Sequence, residues 1–274
     1  MNITILMGIA LGFGMTFFGI MQGGDINNFV EIASLSIVLG GTIGAVIASY
    51  PMEDLKKIPT LIKLALRKSE NNYMEQVHEI VEMANVARKN GILALEDRLD
   101  DIKDPFVKNG IMLIMDGTDP ELVKSMLETQ AYFTDERHGK LISMFETASS
   151  CAPAFGMVGT LIGLINMLKN LTGDMDSIGP SMSTALITTF YGVIFANLIF
   201  NPIAKQLAAK NAEEMLCKDI IIEGILSIQD GENPRVIEDK LKAFIAASDL
   251  EDAKKKSAEP AEDAAEPEGE VQNG

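Results

Sequence analysis

The chain has 274 residues, an apolar fraction of 47% and a formal net charge of −16. That charge excludes nucleic acid as a partner, because binding it requires clustered basic residues. The two cysteines, Cys151 and Cys217, have no disulfide or metal spacing and read as small apolar residues.

An apolar fraction of this size suits a globular protein as well as a membrane protein, so the distribution of charge decides. Residues 1–24, 32–52, 147–168 and 177–204 carry no charged side chain. A helix needs about 20 apolar residues to cross a ~30 Å hydrocarbon core, and a charge at its centre costs roughly 2.5–3.5 kcal/mol. The predicted fold is an all-α integral membrane protein with transmembrane helices at 1–22, 29–50, 147–169 and 180–204. Residues 1–24 lack a basic start and run directly into a second span, which argues against a cleaved signal peptide.

Between the second and third spans, residues 53–146 are predicted to form a helical domain. Leu55, Ile58, Ile62 and Leu66, then Val77, Ile80, Val81 and Ala84, recur at helical spacing. Gly91, Asp104-Pro105, Asp116-Gly117 and Asp119-Pro120 divide the segment into short helices. Residues 132–146 contain no breaker and are predicted to run into span three as one helix. Residues 205–248 extend span four, with Asn233-Pro234 as a helix start. Residues 249–274 are rich in Ala, Glu, Asp and Pro, and are predicted to be a disordered acidic tail that function does not need.

Four spans place both termini and residues 53–146 on one side. That side holds 22 of the 23 Lys and Arg; only Lys169 lies in an opposite loop. The basic residues near span ends (Lys56, Lys57, Lys63, Arg137, Lys140, Lys205, Lys210) agree, so both termini are predicted to be cytoplasmic in a multi-pass inner-membrane protein.

No enzyme is predicted, because no catalytic constellation stands out: there is no P-loop, no HExxH and no supportable Ser-His-Asp set. His78 and His138 have no metal-spaced neighbours. Small residues recur at intervals of three or four along the spans, as in Gly156, Gly159 and Gly163, which allows close helix approach. Pro153, Gly156, Thr160 and Gly163 fall within about 80° of one helix face. Pro153 can leave a carbonyl unbonded. Thr188 and Thr189 sit near the middle of span four, and with Thr160 they are candidates for a polar pathway. The spans contain no Asp, Glu, Lys, Arg or His, yet an ion relay through hydrocarbon normally uses an ionisable group. Either nothing is transported, or a partner supplies a carboxylate beside the hydroxyls.

Four stretches together resemble the MotA/PomA family of flagellar stator subunits. They are Pro153-Ala154-Phe155-Gly156-Met157-Val158-Gly159-Thr160-Leu161-Ile162-Gly163; Ala185-Leu186-Ile187-Thr188-Thr189-Phe190-Tyr191-Gly192 with Ala196-Asn197 and Asn201-Pro202; Ile37-Val38-Leu39-Gly40-Gly41-Thr42; and Ala87-Arg88 through Gly91 to Leu95-Glu96. The resemblance covers the chain up to the acidic tail and looks closer to the PomA/MotP branch. It implies an ion-conducting stator subunit, five copies ringing two MotB/PomB-type chains. Each B-type chain has one span carrying an Asp and a peptidoglycan anchor. No tightly bound cofactor is implied; the transported ion is Na+ or H+, and membrane lipid surrounds the ring. By the resemblance, Thr160, Thr188, Thr189, Pro153 and Pro202 belong to the ion pathway. Glu31 belongs to the outer mouth, where the sodium-type pattern has Asp. Arg88 and Glu96 contact the rotor protein FliG. Sodium is the expected coupling ion. The alternative is an ExbB/TolQ-type energy-transducing subunit, a family with three spans rather than four.

Overall fold

The computed structural model describes residues 3–67, 73–171 and 175–245. Every element among them is helical, as expected. The predicted acidic tail, 249–274, lies outside the described residues. Four helices are long and apolar enough to cross a membrane. They are α1 (Ile3–Gly23), α2 (Ile32–Ser49), the C-terminal part of α7 (Pro120–Asn170), and the run formed by α8 (Ile178–Ile194) with the segments that follow it.

The chain divides into two compact units, 1–70 with 132–213 and 71–131 with 214–274. Sequence boundaries treat 53–146 and 205–248 as separate segments, whereas the second unit draws on both. The reason is burial. Each segment has one apolar stripe, and the two stripes cover each other. Val77 and Ile80 of α5 (Tyr73–Asn90), Ile111 of α6 (Pro105–Met115) and Leu127 of α7 share one core with Ile220, Ile221 and Ile225 of α9 (Asn201–Gln229), and with Ile237 and Leu241 of α10 (Pro234–Lys242). Each such side chain contributes roughly 1.5–3 kcal/mol on full burial.

Local signals set the ends of these helices. Asp104 accepts from the Phe106 N–H at 2.8 Å, Asp119 from Glu121 at 3.0 Å and Asn233 from Arg235 at 3.1 Å. Gly91 and Gly117 adopt φ of 86° and 71°, a region open mainly to glycine. Burial pushes the Glu79 carboxyl above its ordinary range, helped by Asp104 and Glu75 nearby. Lys240 pins α10 by bonding Glu223 at 2.5 Å and Glu232 at 3.4 Å.

In the first unit α2 buries Ser34, Val38, Thr42 and Val46, one residue per turn along a single stripe. Gly41 of α2 lies against Phe155, where a Cβ would come within 2.2 Å of the ring. A second core joins Leu61 and Ala65 of α4 (Ile58–Leu66) to Ile142, Met144 and Phe145 of α7 and to Ile203, Ala204 and Leu207 of α9. Polar ties surround that core. The Tyr50 hydroxyl lies 3.1 Å from Ser143 and 2.8 Å from Thr147. Asp54, in the short α3 (Met52–Leu55), pairs with Lys140 at 2.8 Å and Lys57 at 3.0 Å. Hydrogen bonds from Lys140 and then Lys57 hold the Asp54 carboxyl below its ordinary range.

Residues Phe195–Phe200 form a π-helical segment between α8 and α9, and the Asn201 N–H bonds back to Ala196, five residues away. Pro202 explains it. Proline has no N–H to give to the carbonyl four residues back, and its ring clashes with that carbonyl. The preceding turn widens, and the helix continues.

Candidate functional site

The face predicted for span three packs directly on α8. A Cβ on Gly156 would stand 3.0 Å from the Thr188 carbonyl oxygen. On Gly163 it would stand 2.6 Å from the Ser181 carbonyl, and on Gly192 it would stand 2.6 Å from the Ala152 carbonyl. Small residues therefore bring two backbones into contact. Pro153 lies inside α7 without interrupting it, with its Cα 3.1 Å from the Gly192 Cβ position.

This close approach assembles an oxygen cluster. Thr160 Oγ1 lies 2.5 Å from Thr189 Oγ1, 2.9 Å from the Ala185 carbonyl and 3.1 Å from the Gly156 carbonyl. The Ala185 carbonyl is also within 3.0 Å of Thr188 Oγ1 and 3.5 Å of Thr189 Oγ1. A hydroxyl has one proton and two lone pairs, so such a cluster passes a hydrogen bond along or offers oxygen ligands. No charged side chain belongs to it, in line with the charge-free spans.

The three predicted threonines do not share one environment. Thr160 is half-buried and Thr189 exposed, so their paired hydroxyls lie at an accessible edge of the α7–α8 contact. Thr188 is 0% exposed. Its hydroxyl is committed to the Thr184 and Ala185 carbonyls, and its side chain fills the space left by Gly159, where a Cβ would stand 2.4 Å away. Pro202, the second residue of α9, is set apart from the cluster by the π segment it induces.

Glu31 does not stand as a free charge. It holds the N-cap position of α2 without a side-chain bond to the helix backbone, and its carboxylate accepts hydrogen bonds from Ser34 of α2 and Thr184 of α8. Its N–H donates to the Tyr191 hydroxyl at 3.3 Å, and that hydroxyl donates to the Phe29 carbonyl at 2.5 Å. Sequence reading missed Ser34, Thr184 and Tyr191. The available signal is a lone acidic residue at the head of a charge-free span, three residues before a serine.

Arg88 and Glu96 belong to the other unit. Arg88 is in the last turn of α5, and Glu96 is in the 3-10 turn Ile92–Arg98 that follows Gly91. Both are exposed, and neither forms an ion pair with another described residue. The described residues contain no group of three or more His, Cys, Asp or Glu placed to hold a metal ion.

Residues 98–220 match the MotA/TolQ/ExbB proton channel family. Motility protein A of Borreliella burgdorferi is 40% identical over 250 residues, covering 91% of this chain and 96% of the relative. Chemotaxis protein PomA of Vibrio alginolyticus is 39% identical over 245 residues, covering 89% and 96%. The chain belongs to the MotA/PomA family. The flagellar MotAB stator complex from Bacillus subtilis contains a chain of the same fold. Its TM-score is 0.82 at 31% identity, covering 93% of this chain and 98% of that one. As a MotA/PomA member, the protein is a multi-pass subunit of the inner membrane and an ion-conducting part of the flagellar motor stator. The ExbB/TolQ alternative is not favoured, since these full-length relatives are motility proteins and the four spans are present.

Proposed function

We propose that this subunit forms, with four further copies, a ring around two MotB/PomB-type chains, and couples sodium flow to torque on the rotor. Thr160 and Thr189 are the ion-facing pair. Their hydroxyls, with the Ala185 carbonyl, stand at an accessible edge of the α7–α8 contact, and this observation carries the reading. The partner's span brings the carboxylate that these spans lack. Thr188 acts through packing, keeping α7 and α8 in register. Pro153 and Pro202 shape the two helices on the cytoplasmic side of the cluster. Arg88 and Glu96, exposed on the other unit, meet FliG through ion pairs. Exposed pairs are worth about 0–1 kcal/mol each, so they form and break within a step. One charge crossing 100 mV releases about 2.3 kcal/mol, enough to bias a step of the ring.

Sodium is favoured over the proton because a proton hops along water and the partner's carboxylate. A hard cation must exchange its hydration shell for several oxygens, and the cluster offers them. The test is motor speed as external sodium is removed at constant membrane potential and pH. Speed is expected to fall towards zero; unchanged speed would mean that protons drive the motor. The proposed orientation, with both termini cytoplasmic, is tested separately in a chain whose Cys151 and Cys217 are replaced by alanine. A membrane-impermeant thiol reagent applied to intact cells is expected to label Asp25→Cys and to leave Arg137→Cys unmodified. The reverse pattern would invert the topology.

A further inference from the structure

We propose that a groove at the end of span two nearest residues 53–146 holds one anionic phospholipid, its acyl chain between the helices and its headgroup on Lys56. The groove belongs wholly to the first unit and has a volume of about 410 Å³. Its walls are apolar. They include Ile43 and Ile47 of α2, Ile62 of α4, Phe145 of α7 and Ile203 of α9. Thr42 also lines it, but its hydroxyl donates to the Val38 carbonyl at 2.7 Å and leaves the groove no free donor.

The groove lies at the depth where hydrocarbon gives way to headgroups. Three charge-free segments end beside it, at Met52, Thr147 and Ala204. The lining residues Met52, Phe145, Ala148 and Ile203 flank those three boundaries. From Thr42 to Ser49, α2 advances about 10 Å, roughly a third of a ~30 Å hydrocarbon core. The groove is therefore confined to one leaflet. Ile43, Ile47 and Met52 are 54%, 51% and 60% exposed, so large apolar side chains stand at an open mouth. At this depth the medium that meets them is lipid, and a hydrocarbon chain is the group such walls accept. The leaflet is the cytoplasmic one in the orientation proposed above, and the groove exists in either orientation.

Charge selects the headgroup. Among the described residues, Lys56 is the only charged residue lining the groove; it is exposed and forms no ion pair with another described residue. Its neighbours are already engaged. Lys57 and Lys140 pair with Asp54 at 3.0 Å and 2.8 Å. Lys56 thus remains as a positive charge at the rim of an apolar slot. A lysine can lay its stem along apolar surface and hold its ammonium at the interface. Basic residues at the membrane surface attract anionic lipid, and basic pockets between spans bind its headgroups. A neutral phospholipid matches the slot and leaves the cation unanswered. A free phosphate matches the cation and leaves the slot empty.

The experiment is native mass spectrometry of the full chain purified with its B-type partner, with phosphatidylglycerol or phosphatidylcholine added stepwise. Phosphatidylglycerol is expected to saturate at one molecule per chain and to bind several-fold more tightly than phosphatidylcholine. Lys56→Gln is expected to remove most of that preference. Lys63→Gln removes a lysine outside the groove and is expected to leave the preference intact. Ile47→Trp fills the groove and is expected to displace both lipids. Equal losses in the two Gln variants, or binding that does not saturate, would mean diffuse attraction and overturn the site. Lipid retained by Ile47→Trp would overturn it as well. If Ile47→Trp does not assemble, the two Gln variants decide. The competing occupant is a second copy of this chain. A photoreactive phenylalanine derivative in place of Met52, activated in native membranes, is expected to attach to phospholipid; attachment to another copy would overturn the proposal. Each of these measurements reads the same in either orientation, so an inverted topology would show only in the thiol labelling described above.

Discussion

Replacing Gly192 by valine is expected to abolish flagellar swimming. The glycine faces backbone, and nothing flexible is available to yield. Its Cβ position is 2.6 Å from the Ala152 carbonyl and 3.1 Å from the Pro153 Cα. Accommodating even one carbon forces α7 and α8 apart by about 1 Å, and overpacking of this kind costs roughly 1–3 kcal/mol. The functional loss exceeds what that energy suggests. The 2.5 Å contact between Thr160 and Thr189 and the 2.9 Å bond from Thr160 to the Ala185 carbonyl both depend on the separation of the two helices. Gly163, whose Cβ would meet the Ser181 carbonyl at 2.6 Å, should behave in the same way. Gly139 supplies the contrast. It is exposed on α7, with nothing of this chain within 4 Å of its Cβ position. Gly139→Ala is expected to assemble normally. Swimming and membrane abundance measured side by side check the set, and full motility with Gly192→Val would show that the α7–α8 contact is looser than described.

Reversing the two charges proposed to meet the rotor, Arg88→Glu with Glu96→Lys, is expected to eliminate motility while leaving the protein in the membrane at native abundance. Both residues are exposed, and exposed substitutions away from special features usually change stability by less than about 0.5 kcal/mol. Failure therefore has to arise outside the fold, at a partner. Like charges facing each other across an interface are repulsive, so the reversed pair both loses attraction and adds repulsion. A compensating reversal on the rotor protein should return part of the swimming speed. Unimpaired motility in the double variant would remove Arg88 and Glu96 from the rotor contact.

Much of this architecture is legible along one dimension. Each helix able to cross a membrane contains a segment free of charge, because the cost of burying a charge in hydrocarbon acts on each residue separately. The caps at Asp104, Asp119 and Asn233 and the turns at Gly91 and Gly117 are equally local, each depending on a residue and its next few neighbours. The family resemblance also rests on order and spacing alone, and the relatives support it.

Which atoms meet was decided elsewhere. Thr188 and Thr189 are neighbours about 100° apart on one helix, and composition cannot say which turns towards Gly159. Packing settles it: Thr188 is enclosed, and Thr189 pairs with Thr160 at the accessible edge. Glu31 reads as an open charge, yet Thr184, 153 positions away, closes over it. The π turn before Pro202 and the union of 71–131 with 214–245 arise in the same way. Hydropathy and capping act within a turn or two of helix. Contacts between distant segments depend on how closely two backbones can approach, and here the glycines on α7 and α8 set that distance.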